Sequence, residues 1–348
     1  MVRRLMTILL SVVLPVLSLR PATAEILEKP QFSLAFGTFV IGHLPLPVAQ
    51  SLNLFRAEGL EVTVQNFGAG GARALESLIG GSTDVVLGAY DHTLRMHAQG
   101  KDIRCVILLN RSPGAALAVR KDLAERIRSV RDLKGAKVGT TGPGSSSDYM
   151  LRKLAADAGL APGDIDTVAV GPAQVAVAAI ENGSVDAVFH LDPAITTLER
   201  RGLVRILVDT RKPEGIKEVF GGDYPWVCIY TTKEFIDRNP VTTQRIVNAF
   251  GHALDWINSH SAAEIADTVP AEYALGGREE FRAVVEGSKG MFPPSGHFNP
   301  ADLERERELI ARFDEKLRGA PIRLEDTYTN RFVDAAPTAG PATTTEKR

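Results

Sequence analysis

Three consecutive serines, Ser145, Ser146 and Ser147, follow Gly142 and Gly144 and open a run of helical periodicity. Hydroxyls at a helix start can cap backbone N–H groups that have no intrahelical partner, or turn towards a ligand oxygen. The ligand this placement favours is an anion, because a helix N-terminus carries partial positive charge and free N–H donors. Other polar residues cluster in turns that follow short apolar runs: Thr38 and His43 in 37–43, Gly70 and Gly71 in 68–71, Tyr90, Asp91 and His92 in one turn, and His190 and Asp192 before Pro193. The histidines can donate to an anion or a polar ring. Tyr90 can stack its ring on a ligand and donate its hydroxyl, and Asp91 and Asp192 either reach the ligand or cap the helices that follow them. Paired carboxylates, a Cys/His pair or a metal cluster do not occur at a convincing spacing. The chemistry expected is non-covalent binding with no catalytic residue, metal or cofactor.

These turns are positioned by alternating strands and helices. Met150, Leu151, Leu154, Ala155 and Ala158 share one face while Arg152, Lys153 and Asp157 take the other, so a helix runs from Ser146 or Ser147 to Gly159. Strands are expected at 32–36, 61–67, 84–89, 103–109, 115–120, 136–139, 167–170, 186–190, 204–209 and 226–231, most of them followed by helical segments. That alternation calls for parallel, doubly wound sheets with the polar turns at their carboxyl edges. Residues 79–86 are echoed by 180–188, with Gly81, Ser82, Asp84 and Val86 each 102 positions before a matching residue. In both places the glycine suits a helix C′ position of positive φ. The echo implies two related α/β domains: 25–120 with 224–334, and 121–223. Crossings near 118–124 and 221–226 would form a hinge with a cleft between the domains. Helices at 241–259, 261–268, 278–289 and 301–317 complete the first domain, and the Pro/Thr/Ala/Gly tail 335–348 is expected to be disordered.

Composition narrows the setting. Residues 1–24 carry Arg3 and Arg4, an apolar run from Leu5 to Leu19 and then Ala22-Thr23-Ala24, the order of a cleaved secretory signal, so cleavage is expected after Ala24 and the product is expected in the periplasm. The remainder holds 37 basic and 42 acidic side chains, a net charge of −5 that argues against a nucleic-acid partner. Cys105 and Cys228 lie in apolar strand-like runs, where two buried free thiols are expected, with pairing in an oxidising compartment as the alternative.

From about Phe32 to Ala336 the chain resembles the substrate-binding proteins of ABC importers in the aliphatic sulfonate, taurine, nitrate and thiamine-precursor (NMT1/THI5-like) group. The residues that carry the likeness are Gly135-Ala136-Lys137-Val138 before Gly144-Ser145-Ser146-Ser147, Ala158-Gly159-Leu160, Gly183-Ser184-Val185-Asp186-Ala187, and Asp192-Pro193. The resemblance implies a bilobal type II periplasmic binding protein fold, two doubly wound βα domains joined by a two-crossing hinge. It implies that Ser145, Ser146 and Ser147 hold an oxyanion headgroup, with Asp192-Pro193 and the first three strand loops completing the cleft. It further implies a small-molecule anion as ligand, an ABC permease with its ATPase at the inner membrane as partners, and a monomer. Sulfonate-type members commonly carry an aromatic just before the acidic-Pro pair. Here the run is Phe189-His190-Leu191-Asp192-Pro193, which points away from a plain alkanesulfonate. Enzymes of the same fold acting on thiamine-pyrimidine precursors, and ligand sensors, are the competing readings.

Overall fold

The structure, a computed structural model, describes residues 26–336 apart from 275 and 313. The expected signal segment and the tail from 337 lie outside the described residues. The described residues form ten strands: β1 (Gln31–Phe36), β2 (Glu61–Asn66), β3 (Val85–Ala89), β4 (Ile103–Leu108), β5 (Ala115–Arg120), β6 (Lys137–Thr140), β7 (Asp166–Ala169), β8 (Ala187–Leu191), β9 (Val204–Asp209) and β10 (Val227–Thr232). They form two five-stranded sheets of matching order, β2-β1-β3-β10-β4 and β7-β6-β8-β5-β9.

Both sheets are mixed, which corrects the all-parallel expectation. β10 runs antiparallel to β3 and β4, and β5 antiparallel to β8 and β9. Each of these strands arrives from the other sheet, so no crossover helix forces it parallel. β5 therefore belongs to the second sheet, although the sequence placed residues up to 120 with the first. The chain leaves the first sheet between Leu108 and Ala115 and returns between Asp209 and Val227.

The two sheets repeat one another in detail. Gly81 and Gly183 both take φ +73° just past a helix end. Three residues after each, an aspartate reaches the neighbouring strand: the Asp84 carboxylate accepts from Ser33 N–H at 2.9 Å, and the Asp186 carboxylate from Lys137 N–H at 2.9 Å. The same local device thus starts β1 beside β3 and β6 beside β8.

Alternation along the strands divides the first sheet's two faces. Leu34, Phe36, Val85 and Leu87 face the helices Pro45–Ser51 and Pro240–Ser259, while Ala35, Val86 and Tyr90 face Gly71–Ile79 and Pro300–Ala311. Helix Pro240–Ser259 reaches that core through Ile246, Phe250, Leu254 and Ile257, at helical spacing. Each such side chain contributes about 1.5–3 kcal/mol by leaving water. Cys105 and Cys228, on neighbouring strands, are joined as a disulfide, so the free-thiol expectation does not hold. Among the described residues no helix is long and apolar enough to cross a membrane.

Candidate functional site

Helix Ser146–Asp157 starts where β6 ends, and Ser145 is its N-cap. The Ser145 hydroxyl accepts from Asp148 N–H at 3.4 Å and donates to the Gly142 carbonyl at 2.6 Å. Ser147 Oγ accepts from Thr141 N–H at 3.0 Å, and Thr141 Oγ1 lies 2.9 and 2.8 Å from the Ser145 and Ser147 hydroxyls. Ser146 donates to Asp91 Oδ1 at 2.5 Å, across the gap to the first sheet's helices. All three hydroxyls are therefore engaged within the protein. The groups left over are backbone: among the described residues, Ser146 N–H and Ser147 N–H have no hydrogen-bond partner.

A second helix start faces the first. Helix Gly71–Ile79 begins at the carboxyl edge of the first sheet, with Gly70 as its N-cap. A Cβ on Gly70 would fall 2.7 Å from Ser145 Cβ, and one on Gly71 would fall 2.9 Å from His92 Cε1, so only glycine permits this approach. Two helix N-termini, each partially positive, thus converge on one space.

That space is a cavity of about 50 Å3 bounded by Thr38, His43, Gly71, His92, Thr141 and the Ser145–Ser147 turn, with Val40, Leu87 and Trp226 as apolar walls. Its size suits about three or four waters or a small polar headgroup. Among the described residues, neither lysine nor arginine lines it. Two buried imidazole nitrogens, His43 Nδ1 and His92 Nε2, have no partner among the described residues. Burial holds the His43 ring down at about 3, although the Thr38 backbone opposes the shift. Burial holds His92 at about 4, against the pull of Asp91 and with Arg95 adding to the effect. Both rings are neutral at pH 7.

The structure separates the remaining sequence candidates. Tyr90 does not face the cavity: its hydroxyl bonds to Thr327 at 2.6 Å and its ring lies beside Phe298. His190 is buried with Nδ1 3.0 Å from the Leu191 carbonyl and Nε2 3.1 Å from that of Gly171, so the single N–H of the neutral ring is spent on one of these two backbone acceptors. Asp192 accepts from Thr196 N–H at 2.7 Å, the helix-start role, while its carbonyl accepts from Ile41 N–H across the gap at 2.7 Å. Asp91 pairs with Arg95; burial pushes its carboxyl up, but the guanidinium, with His92 and Ser146, outweighs this and holds it below the usual range. Thr141, Trp226 and His92 belong to the lining. Of these, only His92 had a chemical signal in the sequence.

Residues 41–263 match the family model described as NMT1/THI5 like. The chain belongs to the NMT1/THI5-like family. YtlA of Bacillus subtilis (strain 168), named provisionally as a binding protein, is 25% identical over 296 residues, 82% of this chain and 83% of that one. The 4-amino-5-hydroxymethyl-2-methylpyrimidine phosphate synthase of Aspergillus parasiticus is 22% identical over 303 residues, 84% of this chain and 83% of the enzyme. Among solved structures, a protein of Bordetella bronchiseptica RB50 aligns with TM-score 0.86 and 35% identity, covering 89% of this NMT1/THI5-like chain and 98% of that one. The alkanesulfonate-binding protein SsuA of Xanthomonas axonopodis pv. citri, solved with MOPS bound, aligns with TM-score 0.66 and 23% identity, covering 84% and 95%.

Proposed function

We propose that this protein is the periplasmic solute-binding component of an ABC importer, closing its two lobes over a small organic oxyanion and delivering it to the membrane permease. The observation that carries the reading is the convergence of two helix N-termini, Gly71–Ile79 and Ser146–Asp157, on one cavity that neither lysine nor arginine lines. An anion between them accepts from Ser146 N–H and Ser147 N–H and relieves the repulsion of two positive ends. Micromolar affinity needs about 8 kcal/mol. Charge-assisted bonds contribute about 1.5–3 kcal/mol each, two helix ends about 0.3–2 kcal/mol each, and closure of Val40, Leu87 and Trp226 over the ligand adds apolar burial. The family relatives named for binding support the same reading.

Thr38, His43, Gly71 and Ser145–Ser147 are the proposed site, with Gly70 shaping it. Asp91 acts in lobe closure, while Asp192, His190 and Tyr90 support the frame. A relative that is a pyrimidine phosphate synthase keeps an enzymatic alternative in view, but neither a carboxylate nor a cysteine lines this cavity.

The test is a thermal-shift screen of the protein from Glu25 onward against alkanesulfonates, taurine, nitrate, benzoate- and phthalate-like carboxylates and thiamine pyrimidines. A dose-dependent rise in Tm with one oxyanion class is expected, since ligand at a hundred times Kd stabilises by about 2.7 kcal/mol. A flat response to every oxyanion, or turnover of a pyrimidine, defeats the proposal.

A further inference from the structure

The unpartnered nitrogen of His92 tells what the cavity asks of its ligand, on the reading of the site given above. His92 Nδ1 lies 2.9 Å from the Tyr230 hydroxyl, with the two rings edge to face. Tyr230 is wholly buried, and among the described residues that imidazole is its hydroxyl's one hydrogen-bond partner. We propose that Tyr230 fixes His92 as the Nε2–H tautomer, so that the ring presents a neutral N–H donor to the cavity and selects a ligand with an acceptor oxygen at that point.

The protons available to the pair fix the tautomer. A neutral imidazole has one N–H and one lone pair. If Nδ1 carried the proton, it would donate to the phenol oxygen, and the phenol's own proton would have no acceptor. Two buried polar functions would then be unsatisfied, the Tyr230 O–H and the Nε2 lone pair, and each costs its desolvation. With the proton on Nε2, the Tyr230 O–H donates to Nδ1 and only one function is open, the N–H on the cavity side. The doubly protonated ring is disfavoured by every nearby group but one: Arg95 repels it, Tyr230 then faces a donor, and the helix start at Gly71 adds positive potential. Asp91 is the exception, and its two oxygens are taken by Arg95 and Ser146. Consistent with this, burial keeps the Tyr230 phenol protonated far above neutral pH.

Placement fits the role. A Cβ on Gly71 would lie 2.9 Å from His92 Cε1, with Nε2 at 3.7 Å and Nδ1 at 3.9 Å, so the ring sits against the helix N-terminus with Nδ1 turned to Tyr230 and Nε2 left over. The ring N–H and the backbone N–H groups of the facing helix therefore address the same cavity. A sulfonate or carboxylate oxygen satisfies that set, whereas an ammonium or amino group brought to the same point leaves the donor unpaired and is rejected.

Two measurements test this separately. The first needs no ligand: a two-bond proton–nitrogen correlation spectrum of the histidine-labelled protein at pH 7.5. His92 is expected to show a protonated Nε2 and a bare Nδ1, and Tyr230→Phe to convert it to a mixture of tautomers. A protonated Nδ1, or an imidazolium, overturns the assignment whatever the protein binds. The second uses taurine, MOPS and benzoate in calorimetric titrations. His92→Asn should weaken the binder among them about tenfold, the loss of one charge-assisted bond, and Tyr230→Phe by the smaller factor, about twofold, by which a mixture of tautomers dilutes the donor form. His92→Gln, whose amide N–H reaches the Nε2 position, should recover most of the loss. Equal affinity across wild type and the three variants overturns the donor role. If none of the three probes binds wild type, it is the oxyanion reading that fails, and the donor role with it, while the spectrum still decides the tautomer.

Discussion

Ser147 directs its hydroxyl into the turn before its own helix, where it accepts from Thr141 N–H and contacts Thr141 Oγ1. It is 1% exposed, so Ser147→Ala leaves a buried N–H without a partner. The expected result is a stability loss of about 1–2 kcal/mol, read as a lower midpoint in urea with an unchanged slope. A midpoint equal to wild type would mean that water or a shifted Ser145 replaces the bond. The serine run was legible from sequence as a helix start, but not the division of labour within it, because three adjacent hydroxyls look alike until the turn is folded. Tyr90 was misread for a different reason. Strand parity puts it with Val86 rather than Leu87, yet sequence does not say that this face is covered by Phe298 and Thr327, more than 200 residues later.

At the scale of elements, the strands were readable because each is a short apolar run closed by Gly, Pro or a polar turn; β5 and β9 fall on the expected residues. Direction was not readable. A buried run such as that of Ala115 to Val119 shows no mark of being antiparallel, so β5 was assigned to the wrong sheet. Lobe closure was equally hidden, since it rests on pairs far apart in the chain. Helix Asp91–His97 meets helix Ser146–Asp157 through the Asp91–Ser146 bond and through the Arg95 guanidinium, 3.6 Å above the Tyr149 ring. A desolvated cation–π contact contributes about 2 kcal/mol. The double variant Ser146→Ala, Tyr149→Leu is therefore expected to shift the lobes towards an open form, seen as a larger radius of gyration in small-angle scattering. An unchanged radius would assign closure instead to Ile41 N–H on the Asp192 carbonyl and to the Thr197–Glu280 contact.

For the whole molecule, buried ionisable groups set how stability varies with pH. His43 and His92 titrate near 3 and near 4 in the fold, and burial lowers His190 as well, whereas an unfolded histidine titrates near 6.5. Between pH 6.5 and 4 the unfolded chain takes up protons that the native state refuses, so His43 and His92 make stability fall as pH falls, by up to about 1.4 kcal/mol per unit each, and His190 acts in the same direction. Glu306 acts in the opposite sense. It is wholly buried on helix Pro300–Ala311, neither oxygen makes a well-formed hydrogen bond, and burial, reinforced by Asp91, pushes its carboxyl far above the usual range. The native state therefore keeps a proton there that the unfolded chain loses above about 4.5, and stability from this group declines as pH rises. Asp192, raised by burial, adds to that opposing slope. Asp255, raised by burial, and His252, raised by its hydrogen bond to Glu58, oppose the three histidines in the same way between pH 7 and pH 5. Glu306→Gln removes one of the opposing contributions, so as pH falls over the same interval its Tm should fall relative to that of wild type. Calorimetric scans at the two pH values decide it: parallel changes would show that Glu306 is ionised in the fold, with a partner for its charge, and a rise relative to wild type would reverse the sign assigned to it.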